Sequence, residues 1–89
     1  MYFLYILRSK KNGSYYTGIT NDIDERLNRH NHGWVKATKY LVPWELPYFE
    51  QHSGFAAARK REIYIKAQKS RVFIERLISR SNHQGIEYQ

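Results

Sequence analysis

An arginine and a histidine four residues apart, Arg26 and His30, follow a tyrosine-rich run in the segment YYTGITNDIDERLNRHN, residues 15–31. On a helix that spacing puts both side chains on one face. A guanidinium offers a planar fork able to hold two phosphate oxygens. An imidazole can donate to the same anion or move a proton near neutral pH. Tyr16, on the run before the helix, brings a phenol to the same cleft. One carboxylate stands apart from these. Glu62 is the single acid among Arg59, Lys60, Arg61, Lys66, Lys69 and Arg71. Its plainest use is an i, i+4 pair with Lys66, worth only ~0.3–0.5 kcal/mol.

The elements that must position these groups can be read from the chain. Tyr2 to Leu7 (YFLYIL) is a continuous apolar run of strand length, followed by a polar turn from Arg8 to Gly13. Tyr15 to Thr20 lies at hairpin distance and pairs with it antiparallel. Gly18 inside that second strand marks a close approach by another backbone or a ligand. Asn21 or Asp22 caps a first helix over Ile23 to Asn31, patterned by Ile23 and Leu27, and Gly33 ends it in a left-handed cap. Trp34 to Leu41 is irregular and basic, with Lys36, Thr38 and Lys39. Glu45 to Glu50 (ELPYFE) reads as a third strand, which Pro47 confines to an edge or starts later.

A second helix follows from Gly54 or Phe55 to Gln68, with Phe55, Ala58, Ile65 and Ala67 on its apolar face. Ser70 caps a third, whose buried stripe is Val72, Phe73, Leu77 and Ile78. The order β-β-α-β-α-α predicts an α+β domain over residues 1–79, a small, mostly antiparallel three-stranded sheet flanked by helices. Residues 80–89 read as a polar tail.

Composition narrows the function. Eighty-nine residues suit one domain, and a 42% apolar, 16% aromatic content suits burial by few, large side chains. The absence of cysteine excludes disulfides and thiolate metal sites. No apolar run is long enough to cross a bilayer and no basic-then-apolar leader is present, so the expectation is a soluble cytoplasmic protein with no membrane partner. A net charge of +7 with a pI near 9.8 attracts polyanions, of which nucleic acid is the commonest in a cell.

Taken in order, these residues resemble the GIY-YIG endonuclease superfamily, specifically its short single-domain bacterial branch. Phe3-Leu4-Tyr5 stands where the family has Gly-Ile-Tyr, and Tyr16-Thr17-Gly18 where it has Tyr-Ile-Gly. Gly18 to Asp22, Arg26-Leu27, His30-Asn31, Thr38-Lys39, Pro43-Trp44, Arg61-Glu62 and Ile65-Lys66 also fit, so the resemblance covers about residues 2–78. Phe3 replaces the first glycine but leaves its tyrosine intact. Ile19 occupies a place where repair-type relatives carry a lysine, and Lys39 or Lys66 is expected to supply that cation.

The resemblance implies metal-dependent hydrolysis of DNA phosphodiester bonds, structure- or strand-dependent, in repair or recombination. Glu62 would hold one divalent cation, Mg²⁺ or Mn²⁺, as a hard oxygen ligand. Tyr5 or Tyr16, with Tyr5 preferred, would take the proton from water, while Arg26 and His30 steady the phosphate. Lys36, Lys39 and Lys66 are expected to bind nucleic acid, DNA foremost with RNA open. Two other readings fit the charge and the aromatic residues: a non-catalytic nucleic-acid-binding module, and an adaptor meeting a protein partner through the last helix at Phe73.

Overall fold

Two adjacent runs of strand-forming residues close the first hairpin, as the alternation of branched and aromatic side chains predicts. The structure, a computed structural model, describes residues 1–81. β1 (Tyr2–Ser9) pairs antiparallel with β2 (Tyr15–Thr20), and Ser9 Oγ accepts from the backbone N–H groups of Lys11 and Asn12 in the turn. α1 (Ile23–Asn31) begins at Asp22, whose carboxylate accepts from the Glu25 N–H at 3.1 Å. Gly33, at φ +74°, turns the chain after the helix. A short 3₁₀ turn (Lys39–Leu41) interrupts the basic stretch, and β3 (Trp44–His52) pairs antiparallel with β1 on its other side. α2 (Phe55–Gln68) and α3 (Arg71–Ser81) complete the chain, with Ser70 Oγ accepting from the Phe73 N–H at 3.1 Å. The architecture is the expected α+β order around a β2-β1-β3 sheet.

β1 is central, so its two faces make two cores. Leu4 and Ile6 pack with Tyr48, Ile65, Leu77 and Ile78 under α2 and α3. Tyr5 and Leu7 point to the opposite face and pack with Trp44, bordered by Tyr16 and Leu27. Each such apolar side chain contributes roughly 1.5–3 kcal/mol when fully buried. The alternation that fills both cores is therefore also what delivers Tyr5 to the face covered by α1.

Four boundaries and several faces differ from expectation, the first being β1, which runs on through Arg8 to Ser9 rather than ending at Leu7. β3 starts at Trp44 and extends to His52 rather than spanning Glu45 to Glu50, and Pro47 is accommodated because β3 is an edge strand. Phe55, Ala67 and Val72 are exposed, while Phe73, Leu77 and Ile78 face the core. Phe73 thus lies in the buried stripe as expected, edge-on to Tyr64 with ring centroids 6.0 Å apart, and not exposed as the adaptor reading required. α3 runs on through Arg80 to Ser81, into the stretch expected as tail; residues 82–89 lie outside the described residues.

On the sheet face covered by α2, beside Leu4 and Tyr48, is a polar cluster that composition alone did not reveal. Glu50 is fully buried on β3 and accepts from Tyr48 Oη at 2.5 Å and from Arg61 Nε at 3.0 Å, with His52 Nε2 also 3.0 Å away. A buried carboxylate needs this many partners to offset its lost hydration. The Glu50–Arg61 pair also ties α2 to the sheet.

Candidate active site

Tyr5 stands opposite Gly18 in the β1–β2 register. A Cβ at Gly18 would lie 2.6 Å from the Tyr5 hydroxyl oxygen, so the glycine exists to let this phenol cross the strand. The close approach expected at Gly18 is thus made by a side chain of the protein itself. The phenol reaches α1, where Arg26 Nε donates to its oxygen at 3.4 Å and His30 Nε2 lies 2.9 Å away.

One assignment of protons satisfies every partner. With Thr38 Oγ1 donating to Val35 O at 3.4 Å, it accepts from His30 Nδ1 at 2.7 Å. In that tautomer His30 Nε2 carries the lone pair, and Tyr5 O–H donates to it. Arg26 can only donate, which agrees with the phenol oxygen being its acceptor. The result is a directed chain from Tyr5 through His30 to Thr38 and the Val35 carbonyl. His30 and Thr38 are almost wholly buried, at 0% and 1% exposure.

Electrostatics follow from that burial. Desolvation, helped by the charges of Arg26 and Arg29, lowers His30 to about 4, so the imidazole is neutral at pH 7 and its surroundings resist its protonation. Burial pushes the Tyr5 phenol up; the hydrogen bond from Arg26 opposes this, and the charges of Tyr16 and Glu62 add to the rise. That last influence places the α2 carboxylate in the electrostatic reach of Tyr5.

Tyr16 borders the same group, its ring centroid 5.1 Å from that of His30 and 6.4 Å from that of Tyr5. Among the described residues its hydroxyl has no hydrogen-bond partner. Tyr16 and Lys66 both line a cleft of about 270 Å³ between β2 and the α2–α3 junction. Glu62 is 7% exposed and bridges two cations, Arg59 Nη1 at 2.7 Å and Lys66 Nζ at 3.0 Å. Burial works to raise its carboxyl, and the bonds from Lys66 and Arg59 outweigh this and hold it below the usual carboxylate range. The i, i+4 pair with Lys66 foreseen from the spacing is therefore made.

The structure brings Tyr5, Tyr16, Arg26 and His30 together, and Lys66, which holds Glu62, shares a cleft with Tyr16. Lys36 and Lys39 lie apart, exposed on the segment after α1, where Lys39 Nζ sits 4.9 Å from the Tyr40 ring centroid. Sequence reasoning gave Thr38 no role. Its signals were a place in the family pattern, as Thr38-Lys39, and a small hydroxyl in a basic loop, and a loop's return to a helix has no periodicity to read. That return is held by Trp44, whose Nε1 donates to Thr38 O at 3.1 Å and whose backbone N–H donates to Asn31 Oδ1.

Comparisons with known proteins agree with this geometry. The family model described as GIY-YIG catalytic domain matches residues 1–76. The UPF0213 protein BLi00048/BL00536 of Bacillus licheniformis is 38% identical over 89 residues, covering 99% of this chain and 90% of that protein. The UPF0213 protein YazA of Bacillus subtilis is 37% identical over 78 residues, 83% of this chain and 78% of that protein. The solution NMR structure of the UPF0213 protein BH0048 from Bacillus halodurans superimposes with a TM-score of 0.56 at 34% identity, covering 89% of this chain and 84% of that one.

Proposed function

The chain belongs to the GIY-YIG catalytic domain family, and from that premise we propose that it is an endonuclease hydrolysing DNA phosphodiester bonds. The observation that carries the reading is the Tyr5 hydroxyl held between Arg26 and the lone pair of His30. A core tyrosine needs one hydrogen-bond partner. This one has a proton acceptor behind it and a cation against its oxygen, which is what a phenol needs to take a proton from water.

In the proposed step a water oxygen forms a bond to phosphorus as the P–O bond to the leaving nucleoside breaks. The water's proton passes to Tyr5 Oη while the phenol's own proton moves to His30 Nε2. This relay avoids a free phenolate, which the upward-shifted Tyr5 would resist, and needs the bound phosphate to raise His30, which burial and its arginine neighbours hold at about 4. Thr38 keeps His30 in the accepting tautomer. Arg26 steadies the phosphate, and the anion's charge offsets the Arg26 charge that disfavours a protonated His30.

Glu62 would hold the divalent cation, Mg²⁺ or Mn²⁺. Among the described residues no group of three or more His, Asp or Glu forms a metal cage. A single hard carboxylate fits an ion that completes its shell with waters and substrate oxygens, provided Arg59 and Lys66 let go. When bound, such an ion polarises the phosphoryl oxygen and eases departure of the leaving oxygen. A second reading, a binding module without turnover, is favoured by the neutralisation of Glu62 by those two cations.

The experiment compares purified wild type and Glu62→Ala on labelled single-stranded, duplex and branched DNA, each with Mg²⁺, Mn²⁺ or EDTA, with binding measured in parallel. Metal-dependent cutting that Glu62→Ala loses while still binding supports the proposal. Binding without cutting on every substrate defeats it in favour of the module.

A further inference from the structure

The segment between α1 and β3 carries two large aromatic rings that no core claims. Trp34 is 62% exposed and Tyr40 73% exposed. His32 stacks on the Trp34 indole, with centroids 4.5 Å apart and planes at 28°, which braces the ring rather than hiding it. The Tyr40 backbone is held by Lys11, whose Nζ donates to Tyr40 O at 3.2 Å. Exposed rings on a fixed scaffold are costly to leave in water and serve as contact surfaces.

Charge says what touches them. Lys36 and Lys39 lie on the same segment, Lys10 and Lys11 on the hairpin turn packed against it, and residues 32–44 contain no Asp or Glu. The four lysines favour a polyanion over a protein hot spot, which pairs its aromatics with mixed charge. The two rings add a demand that a phosphate backbone alone does not meet. They need a flat π-partner, and in a nucleic acid that is a base freed from its stack.

Position links the surface to the chemistry. Thr38 lies between Trp34 and Tyr40 in sequence, and its side chain bonds His30 in the buried site. Trp34 also follows directly on the helix that carries Arg26 and His30, its backbone N–H donating to Arg29 O at 3.1 Å. We infer that Trp34 and Tyr40 form a stacking platform for unpaired nucleotides flanking the phosphate in the site, with Lys36 and Lys39 on the backbone. The inference rests on the reading of that site as one for phosphodiesters, and it assigns the substrate a single-stranded stretch there.

The test uses the full chain in EDTA. Trp44 is 4% exposed, so a quencher in solution reports on Trp34. The ligands are a short oligothymidylate, a blunt duplex and heparin, a polyanion without bases. Oligothymidylate should quench the indole saturably, and duplex and heparin should bind without quenching. Trp34→Ala should weaken oligothymidylate binding about 5- to 150-fold by fluorescence anisotropy, and Trp34→Phe should restore most of it. Circular dichroism checks that both variants keep the fold. Lys36→Ala should lower the salt slope of single-strand binding by about 0.7.

Equal quenching by duplex, or a Trp34→Ala protein that binds oligothymidylate like wild type, overturns the platform. So does quenching by none of the three, which returns the rings to a protein-docking role. Adding Mg²⁺ or Mn²⁺ separates the two readings. Quenching without cleavage sinks the hydrolase and leaves the platform. Cleavage with unaltered binding by Trp34→Ala sinks the platform alone.

Discussion

The Tyr5 phenol crosses the bare α-carbon of Gly18, on the neighbouring strand, and there meets α1. The glycine is therefore a positional requirement of the tyrosine. Gly18→Ala would put a methyl 2.6 Å from the hydroxyl oxygen and push the ring away from Arg26 and His30. The expected outcome is a stability loss of about 1–3 kcal/mol in urea unfolding, with loss of any cleavage activity. An alanine variant with wild-type stability and activity would contradict this placement.

Acid should destabilise the protein through His30. Its folded value of about 4 lies below the ordinary 6.5, so between these pH values the unfolded chain binds a proton that the folded chain does not. Stability is then complete above pH 6.5 and falls as pH drops toward 4, by up to about 3 kcal/mol. Glu62, held low by its cations, extends the loss to still lower pH. Urea unfolding at stepped pH should show the first slope in wild type and not in His30→Phe.

Removing the Arg26 charge should move two neighbours the same way for opposite reasons. The His30 imidazolium gains from losing a like charge, and the Tyr5 phenolate suffers from losing a counter-charge. In Arg26→Ala both groups should titrate at higher pH than in wild type, read by NMR for the imidazole and by ultraviolet absorbance for the phenol. A downward move in either would mean that Arg26 does not face it.

Glu50 makes a stability prediction independent of chemistry. It is fully buried, and Arg61 is its charged partner. Glu50→Ala should cost about 3–5 kcal/mol, because it removes the buried carboxylate that accepts from Tyr48 and Arg61 and pairs with His52. For a domain of this size that lowers the melting temperature by well over ~10 °C. A shift of a few degrees would show that Arg61 finds another partner.

Much of this was legible in the residues, because local physics decides it. The apolar runs at Tyr2–Leu7 and Tyr15–Thr20, the Asp22 and Ser70 caps, and the Arg26–His30 spacing each specify structure within one element. What could not be read depends on partners distant in sequence. Nothing local to Gly18 says that Tyr5 fills its space, and nothing near Glu50 announces Arg61. Val72 shares an apolar side chain with Ile78, yet only the latter turns to the sheet. Thr38 becomes a partner of His30 only when Trp44 and Asn31 close the loop.

The proposed chemistry turns on one oxygen atom, the Tyr5 hydroxyl. Tyr5→Phe keeps the ring that fills the space over Gly18 and removes only the hydroxyl. Single-turnover cleavage by Tyr5→Phe and wild type should be compared on whichever DNA the wild type cuts, with affinity measured in EDTA. The prediction is a fall of about 10²–10⁴ in rate with binding little changed. Cleavage by Tyr5→Phe at the wild-type rate would contradict the proton relay through Tyr5 and His30.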